Sequence, residues 1–475
     1  MKIIIVGGGR LGYAIARQLL LENHDITVIE PDSRRAEFIS TSLDVIVLEG
    51  RATIDLLRDA GAANADLLIA ATMSDETNLI SCAVGRKLGA RHTIARVREE
   101  EYYQDMLLLR DEMGLSLSIN PERTAAKEIS RILRFPVATK VEPFANGLAE
   151  LVEYHVSSGS KLCGVQLQDF RTKISAGVLV TTLERGGTLH IPNGDYTLEA
   201  GDDISLVGSP HELHALFKRL GEFTHEVQGV MLVGGSRVAE RLTMELTKMR
   251  IRTVIVEQSE KRCIALKDAL PEATVIWGDA AQPNLLREEG LLDTDALVAL
   301  TDSDAMNLVL SSLAKSEQVP KVVTKLNEEN YVQLAEQHGV TTTIQPAAVT
   351  ASRITEYIRA MQNSADVSGV ETLRLVADGR AEALGFIVRA SSPVVGVPLK
   401  DLKLKPSVLV AAVIRGSECF IPGGSDSIQP DDRVVVMSVA PNGTAYIMTE
   451  QIVNDDMGAV YIPETLRVTI VSLAE

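Results

Sequence analysis

Hydrophobic positions in the first part of the chain form short apolar runs that alternate with amphipathic stretches. The runs are short enough to predict strands, at 2–6, 25–30, 45–48, 66–71, 92–97 and 115–119. Helices are expected in the intervals, and a longer helix is expected to start after Pro121. Strands and helices that alternate in this way predict an α/β fold, a doubly wound parallel sheet with helices on both faces.

The pattern changes in the segment FPVATKVEPFANG, which contains two prolines and a glycine and predicts a domain boundary. The following residues contain short β-rich pieces separated by turn sequences, and a helix is expected from about Pro210 to Leu220. The predicted strands are at 150–156, 177–183, 188–191 and 204–207. This segment therefore predicts a small α+β domain.

The second half repeats both patterns in the same order. Residues 3–30 and residues 230–257 each read as a strand, a glycine-rich turn, a helix and a second strand that ends in a glutamate. The run IPNGDYTLEAGD likewise has a counterpart, IPGGSDSIQPDD, in the second half. We therefore expect two Rossmann-like domains, each followed by a small α+β domain, at 1–136, 148–224, 228–362 and 370–450. The tail, 451–475, has no counterpart and stays unassigned.

The first glycine-rich turn has the features of a dinucleotide site. Gly7, Gly9 and Gly12 follow a strand and open a helix, and Glu30 ends the next strand. These glycines would permit a tight turn, let pyrophosphate approach the backbone and allow close packing of helix on strand. Glu30 should bind the ribose hydroxyls, and its charge would repel a 2′-phosphate, which favours NAD(H) over NADP(H). The alternative is a packing turn without a ligand.

The second glycine-rich turn is altered where the phosphate would lie. It keeps Gly234, Gly235 and Glu257 but has Ser236 and Ala239 in place of the second and third glycines. Because a side chain at 236 would obstruct pyrophosphate, we expect a weakened site that takes a mononucleotide or nothing.

Other candidate residues lie where strands are predicted to end, the edge at which open α/β sheets bind ligands. Thr72 and Thr301 occupy equivalent positions there. Asp75 and Asn78 are expected to cap the following helix. Two arginines that face the same way, Arg96 and Arg98, suit either phosphate binding or a surface ion pair, and the spacing favours neither.

Composition excludes several classes of protein. A net charge of −17 over 475 residues argues against nucleic acid and against a polybasic grip on anionic lipid. No apolar run reaches the ~18–20 residues of a membrane span, and the N-terminus lacks the layout of a signal peptide. The cysteines are far apart and predict buried thiols of a reduced cytoplasmic protein: Cys82, Cys163, Cys263 and Cys419.

The sequence shows no arrangement of side chains suited to catalysis. A dehydrogenase needs a group that moves the substrate proton, yet the eight histidines form no repeated constellation. His211 and His214 are closely spaced, but we expect them on a helix surface and not at a metal. The sequence thus indicates binding without turnover, so we expect a protein that is not an enzyme, with an NAD-dependent oxidoreductase as the alternative.

The glycine turn, Glu30, SDETN at 74–78 and IARVR at 94–98, followed by a small β-rich domain, resemble the RCK module that regulates potassium conductance. The duplicated order resembles the TrkA-type peripheral subunits of bacterial Trk potassium uptake systems. That resemblance implies a homo-oligomeric ring of modules on the cytoplasmic face of the cell membrane, which gates a potassium-translocating membrane subunit. A regulatory part of a cation antiporter is a further alternative.

The resemblance also implies the nucleotide contacts. In the first copy they are Gly7, Gly8, Gly9, Arg10, Leu11, Gly12, Glu30, Arg51, Thr72, Met73 and Arg98. In the second copy they are Gly234, Gly235, Ser236, Arg237, Glu257 and Thr301. NAD(H) is the expected ligand, with ATP, ADP or AMP as candidates for the second site. Arg51 departs from the polar or acidic residue usual in the family.

Overall fold

A computed structural model describes most of the chain up to residue 439. The described residues are 1–99, 102, 114–135, 138, 140–221, 227–340, 342–364, 370–377, 380–390, 392–402, 404 and 408–439. The end of the fourth expected domain, 440–450, and the tail, 451–475, lie outside them.

The first copy folds as a parallel sheet of order β3-β2-β1-β4-β5-β6. Its strands are β1 (Lys2–Val6), β2 (Asp25–Glu30), β3 (Ile46–Glu49), β4 (Leu67–Ala70), β5 (His92–Arg96) and β6 (Leu117–Ile119). Its helices are α1 (Arg10–Leu20), α2 (Ser33–Ser42), α3 (Ile54–Asp59), α4 (Asp75–Leu88) and α5 (Pro121–Arg134). The order reverses beside β1, which pairs in parallel with both β2 and β4. Ligands bind at such a reversal in open α/β sheets, and here the glycine turn lies at it.

The first small domain is an antiparallel sheet of order β10-β9-β11-β8-β7. Its strands are β7 (Lys140–Phe144), β8 (Ala149–His155), β9 (Val178–Arg185), β10 (Thr188–His190) and β11 (Asp203–Gly208), with helices α6 (Leu167–Lys173) and α7 (Pro210–Leu220). Strand β7 lies in the segment expected to be a boundary. Among the described residues it pairs only with β8, at the edge of the sheet, where Pro143 is tolerated because an edge strand can spare one N–H donor.

The second half repeats this architecture. Its parallel sheet, of order β14-β13-β12-β15-β16-β17, comprises β12 (Gly229–Val233), β13 (Arg252–Glu257), β14 (Thr274–Trp277), β15 (Ala296–Ala299), β16 (Lys321–Lys325) and β17 (Thr343–Ile344). The helices are α8 (Arg237–Lys248), α9 (Glu260–Ala269), α10 (Pro283–Glu288), α11 (Asp304–Ser316), α12 (Glu329–Gln337) and α13 (Pro346–Ser364). The last sheet, of order β18-β19-β22-β20-β21, comprises β18 (Val370–Val376), β19 (Ala381–Ile387), β20 (Val408–Arg415), β21 (Glu418–Phe420) and β22 (Arg433–Val439). The predicted fold class is confirmed.

The described residues fall into two compact units that cut across the sequential halves. One unit contains residues 1–133 and 227–355, and the other contains 134–226 with the described residues after 355. The first unit therefore contains the two parallel sheets, and the second contains the two antiparallel sheets. The four expected domain ranges treat each segment separately, and no local pattern in the sequence predicts this pairing.

Within the first unit, the end of the first copy packs on the sheet of the second. Helix α5 places Ala125, Ile129 and Leu133 in one core with Leu232 and Val298. These residues of α5 are at most 1 % exposed, so this contact is core and not surface. The helix predicted after Pro121 therefore exists, but its apolar face belongs to the other copy.

Within the second unit, the two small sheets share a core. Phe144, Leu151 and Val207 of the first sheet cluster with Ala412 and Met437 of the second. Each side chain of this group is at most 1 % exposed. The two small sheets therefore pack against each other through one shared apolar core.

Candidate functional site

The first glycine turn is tight at two of its glycines, Gly7 and Gly12, and open at the third, Gly9. Gly7 has φ +98° and donates its N–H to the carbonyl of Ile29 at 2.8 Å, so the chain turns sharply after β1. A Cβ on Gly12 would lie 1.8 Å from the carbonyl oxygen of Gly7, so a side chain there requires the turn to shift. A Cβ on Gly9, in contrast, would meet nothing within 4 Å. The turn is therefore tight on its inner side and open where a phosphate would approach.

Helix α1 presents its N-terminus at this opening. Gly9 is its N-cap residue and provides no side-chain hydrogen bond. The first N–H groups of a helix have no partner inside the helix, and together with the helix dipole they favour an anion. Gly9 thus leaves these donors without a side-chain cap. Leu11, expected among the contacts, is 5 % exposed and packs inward, so only its backbone faces the turn.

Glu30 lies buried beneath the turn. Its Oε2 accepts from the N–H of Gly8 at 2.6 Å, its Oε1 accepts from the N–H of Asp32 at 3.0 Å, and it is 3 % exposed. The guanidinium of Arg35 lies 3.7 Å from Oε1. A carboxylate has about four acceptor positions. Two N–H donors therefore leave capacity for ribose hydroxyls at the same carboxylate, which fits the predicted role.

A network around Asn78 ties the ends of β4 and β5 together. Its Oδ1 accepts from the N–H and the hydroxyl of Thr72 at 2.8 and 2.7 Å, and its Nδ2 donates to the carbonyls of Thr72 and Arg96. The side chain that caps α4 is Ser74, whose Oγ accepts from the N–H of Thr77. The expectation that Asp75 and Asn78 cap this helix is wrong.

Asp75 instead fixes the segment after β5. Its Oδ2 accepts from the N–H groups of Arg98 and Glu99 at 2.7 and 2.9 Å, and its Oδ1 lies 3.7 Å from Nε of Arg98. Arg98 also donates to the carbonyl of Met73, whose side chain is 69 % exposed at the edge of the sheet. These contacts hold the Arg98 guanidinium beside the strand end at which Thr72 and Met73 lie.

Arg96 is buried and not on the surface. It donates to Glu122 at 3.2 Å and to the carbonyl of Thr72 at 3.5 Å, and it is 9 % exposed. Burial lowers the pKa of Arg96, and the charge of Glu122 opposes that effect. Both arginines are thus ion-paired in the structure. A surface ion pair, one of the two roles that the sequence left open, is therefore ruled out for Arg96.

Arg51 is exposed in the turn after β3. That turn is placed beside the acid at the end of β2, because the N–H of Gly50 donates to the carbonyl of Glu30 at 3.0 Å. Arg51 therefore lies at the same edge of the sheet as the glycine turn.

The second copy has the same backbone frame. Gly234 has φ +100°, and Glu257 accepts from the N–H of Gly235 at 2.6 Å and from that of Ser259 at 2.7 Å. Asn307 accepts from the N–H and hydroxyl of Thr301 at 3.0 and 2.7 Å. The repeat therefore extends to individual hydrogen bonds.

The second copy differs where a phosphate would bind. Ser236 is the N-cap of α8, and its hydroxyl accepts from the N–H of Ala239 at 3.4 Å, a donor that the glycine of the first copy leaves uncapped. Asp302 stands where the first copy has Met73, and Asn327 stands where it has Arg98. Asn327 binds Asp304 with both its N–H and its amide. Compared with the first copy, this edge of the second sheet therefore lacks the cation of Arg98 and has the additional anion of Asp302.

Lys325 is the counterpart of the buried arginine in the first copy. It is 6 % exposed, its Nζ donates to the carbonyl of Leu300 at 3.3 Å, and Asp302 lies 3.6 Å away. Burial lowers the pKa of Lys325, while the neighbouring aspartates raise it. The structure thus keeps one buried cation at the second edge.

Arginines beside each glycine turn reach the other copy. Arg10 lies 3.7 Å from Glu328, and Arg237 donates to Glu99 at 2.7 Å. The two contacts are equivalent under the repeat, since each joins the residue after a glycine turn to a glutamate beyond a strand of the other copy. The family resemblance implies both arginines as nucleotide contacts but does not indicate these partners.

Other chemistry is limited in the described part of the chain. No group of three or more potential metal ligands occurs there. His211 is exposed beside Glu212, as expected of a helix surface. All four cysteines are free. Cys82 and Cys263 are buried, as predicted, whereas Cys163 and Cys419 are only half-buried, so the prediction of buried thiols is wrong for those two. Burial raises the pKa of Cys82 to about 12. None of the described helices is long and apolar enough to cross a bilayer.

The chain thus consists of two tandem Rossmann-like units, each followed by a small antiparallel domain. The TrkA-N domain model matches residues 3–121 and 230–346, and the TrkA-C domain model matches 151–221 and 384–440. The chain is 33 % identical over 440 residues to the "Trk system potassium uptake protein TrkA homolog" of Archaeoglobus fulgidus, covering 92 % of this chain and 97 % of the relative. It is 32 % identical over 443 residues to the TrkA protein of Halomonas elongata, covering 92 % and 96 %. The chain belongs to the TrkA family.

Solved structures agree on the fold. The RCK domain of GsuK matches with a TM-score of 0.60 at 18 % identity, covering 92 % of each chain. The GsuK channel bound to NAD matches with a TM-score of 0.61 at 18 % identity, covering 92 % of this chain and 76 % of that one. The suspected family is confirmed, and the relatives are named for potassium uptake and not for an enzymatic activity.

Proposed function

We propose that this chain is the cytoplasmic nucleotide-sensing subunit of a potassium uptake system, and that it binds NAD(H) at its first glycine turn without turnover. The observation that carries the proposal is the turn itself, where Gly9 leaves the N-terminus of α1 open above the carboxylate of Glu30. A dinucleotide needs both parts, an anion-binding helix N-terminus and an acid for ribose.

The residues of the first copy fit NAD(H) better than NADP(H). Glu30 is an anion, which would repel a 2′-phosphate, although the guanidinium of Arg35 lies 3.7 Å from its Oε1 and offsets part of that charge. The structural neighbour described as the GsuK channel bound to NAD supports the same ligand. For the second copy we propose at most weak binding of an adenine mononucleotide, ATP, ADP or AMP, because Ser236 caps the helix and Asp302 adds negative charge.

The proposed output is a change in the shape of an assembly. Ligands that bind two shapes of a ring with different affinity shift the balance between them, and a membrane partner responds to the shape. Within the first unit, Arg10 and Arg237 each contact a glutamate of the other copy beside the candidate sites. A phosphate at either turn would compete for these arginines, which gives the two copies a physical means of sensing each other.

The proposed partner is a potassium-translocating membrane subunit. The TrkA relatives are named for potassium uptake, and no described helix of this chain could cross a membrane. We therefore propose a peripheral homo-oligomer on the inner face of the membrane. The purified chain should form a dimer or tetramer and should co-purify with that subunit in detergent.

Ligand binding is tested by thermal unfolding with NADH. At ~100 times its dissociation constant, a ligand that binds only the folded state stabilises it by about 2.7 kcal/mol. Glu30→Ala should remove most of this shift. Glu257→Ala changes the equivalent residue of the second copy and is the matched control, so it should leave the shift in place. An unchanged shift in Glu30→Ala would rule out this site.

Regulation is tested by potassium flux in proteoliposomes that contain the membrane subunit. Added NADH should change the flux only when this chain is present, and the change should weaken in Glu30→Ala and Arg98→Ala. A response in liposomes that lack this chain would contradict the proposal. Steady hydride transfer by the purified chain alone would instead identify an NAD-dependent oxidoreductase, and flux of another cation would identify the regulatory part of an antiporter.

A further inference from the structure

An ion pair crosses the second glycine turn. Arg262, in the first turn of α9, donates Nε to the carbonyl of Gly235 at 2.7 Å and Nη2 to Glu240 of α8 at 2.7 Å. The N–H of the same glycine donates to Glu257, the acid that corresponds to the expected ribose ligand. The guanidinium therefore lies on the peptide segment that a nucleotide would have to approach.

The first copy has an arginine at the position equivalent to Arg262, but it has no glutamate at the position equivalent to Glu240. The spacing that relates Glu30 to Glu257 also relates Arg35 to Arg262 and Tyr13 to Glu240. Tyr13 is neutral and packs on the ring of Phe38, with centroids 5.4 Å apart. Arg35 is 54 % exposed, whereas Arg262 is 33 % exposed. The second copy thus has glutamate where the first has tyrosine, and in the second copy the arginine contacts the glycine turn.

We propose that the Arg262–Glu240 pair closes the second turn, and that the residue at this position of the helix decides whether a copy accepts a dinucleotide. This inference rests on the proposed binding of NAD(H) to the first copy. It assigns to Glu240 the role of a specificity-determining residue, one that acts by holding a neighbouring arginine and not by contact with ligand. The sequence alone indicates only the side chain of Ser236 as an obstruction.

The chemistry of the pair explains why it would persist in competition with a nucleotide. An arginine bonded to both a carboxylate and a carbonyl has two of its five donors satisfied in a fixed geometry. Glu240 is 22 % exposed, so its attraction to Arg262 is less screened by water than that of a fully exposed pair. A ligand must displace this contact and, once it has done so, also faces the added charge of Asp302.

Calorimetric titration with NADH separates the pair from the serine. The second copy should remain closed in Ser236→Gly, because the pair stays intact. A second NADH site per chain should appear in the double variant Ser236→Gly with Glu240→Gln. A second site in Ser236→Gly alone, or a single site in the double variant, would overturn the inference. Unchanged thermal unfolding without ligand would show that the variants are folded.

The reciprocal change brings the pair into the first copy. Tyr13→Glu should draw Arg35 onto the turn and weaken NADH binding about tenfold. Tyr13→Gln is the matched control, since it removes the ring without adding charge, and it should bind at least several times more tightly than Tyr13→Glu. Equal affinities of the two variants would refute the inference while leaving the proposed function intact. Absence of NADH binding in the unmodified chain would instead refute the proposed function.

Discussion

Replacing Gly9 with serine should separate ligand binding from stability in the first copy. A Cβ at this position meets nothing within 4 Å, so the side chain fits without strain. Its hydroxyl can then cap α1 as Ser236 caps α8. Serine in place of glycine at an N-cap stabilises a helix by about a few tenths of a kcal/mol. The folded chain should therefore be as stable as the wild type or slightly more stable.

The same substitution should weaken NADH. It takes one helix N–H from a phosphate, and a hydrogen bond to a charged group contributes about 1.5–3 kcal/mol, which corresponds to roughly a ten- to hundredfold rise in Kd. Calorimetry gives Kd, and thermal scanning without ligand gives stability. Gly9→Ala adds the Cβ without the hydroxyl and separates obstruction from capping. Wild-type affinity in Gly9→Ser would refute the argument that an open helix N-terminus carries the phosphate.

Three further outcomes follow from the hydrogen bonds and the pKa shifts. Asn78→Ala should destabilise the first copy by about 1–3 kcal/mol, because it leaves buried groups at the ends of two strands unpaired, and thermal scanning without ligand would detect it. Burial opposes ionisation of Asp202, but hydrogen bonds from Arg185 and from the Glu199 N–H outweigh it and lower the pKa of Asp202 below 3.8. Its stabilising contribution is therefore full above about pH 4 and is lost as the pH falls further, so Asp202→Asn should flatten the acid limb of a stability–pH profile. Burial raises the pKa of Cys82 to about 12, so at pH 8 its thiol should react with a disulfide reagent only after unfolding; rapid reaction in the native protein would contradict this.

Burial explains which elements could be predicted from the sequence. Ile3, Ile4 and Ile5 of β1 are all at most 2 % exposed, so a strand covered on both faces stands out as an apolar run. Strand β7 was missed because it contains Pro143 and pairs on one side only. A proline in a short edge strand cannot be distinguished by sequence from a linker.

The candidate site was predictable in its backbone and much less in its side chains. The glycines and Glu30 act through local geometry, which a motif records. Asn78 was mistaken for a cap because an amide near a helix start can bond either to that helix or to a neighbouring strand, and only the fold decides. The contact of Arg237 with Glu99 depends on how the two copies pair, and no local pattern in the sequence contains that information.

The packing of α5 on the sheet of the second copy bears on how such a chain could have arisen. A protein with a single copy would leave Ala125, Ile129 and Leu133 exposed, and could bury them only against a second molecule. Gene duplication and fusion make that encounter intramolecular and independent of concentration. Once the two copies are tethered, they no longer need to be identical. One can keep an open glycine turn while the other acquires Ser236 and Glu240, so a fused gene permits a division of labour that an obligate homodimer of identical chains could not encode.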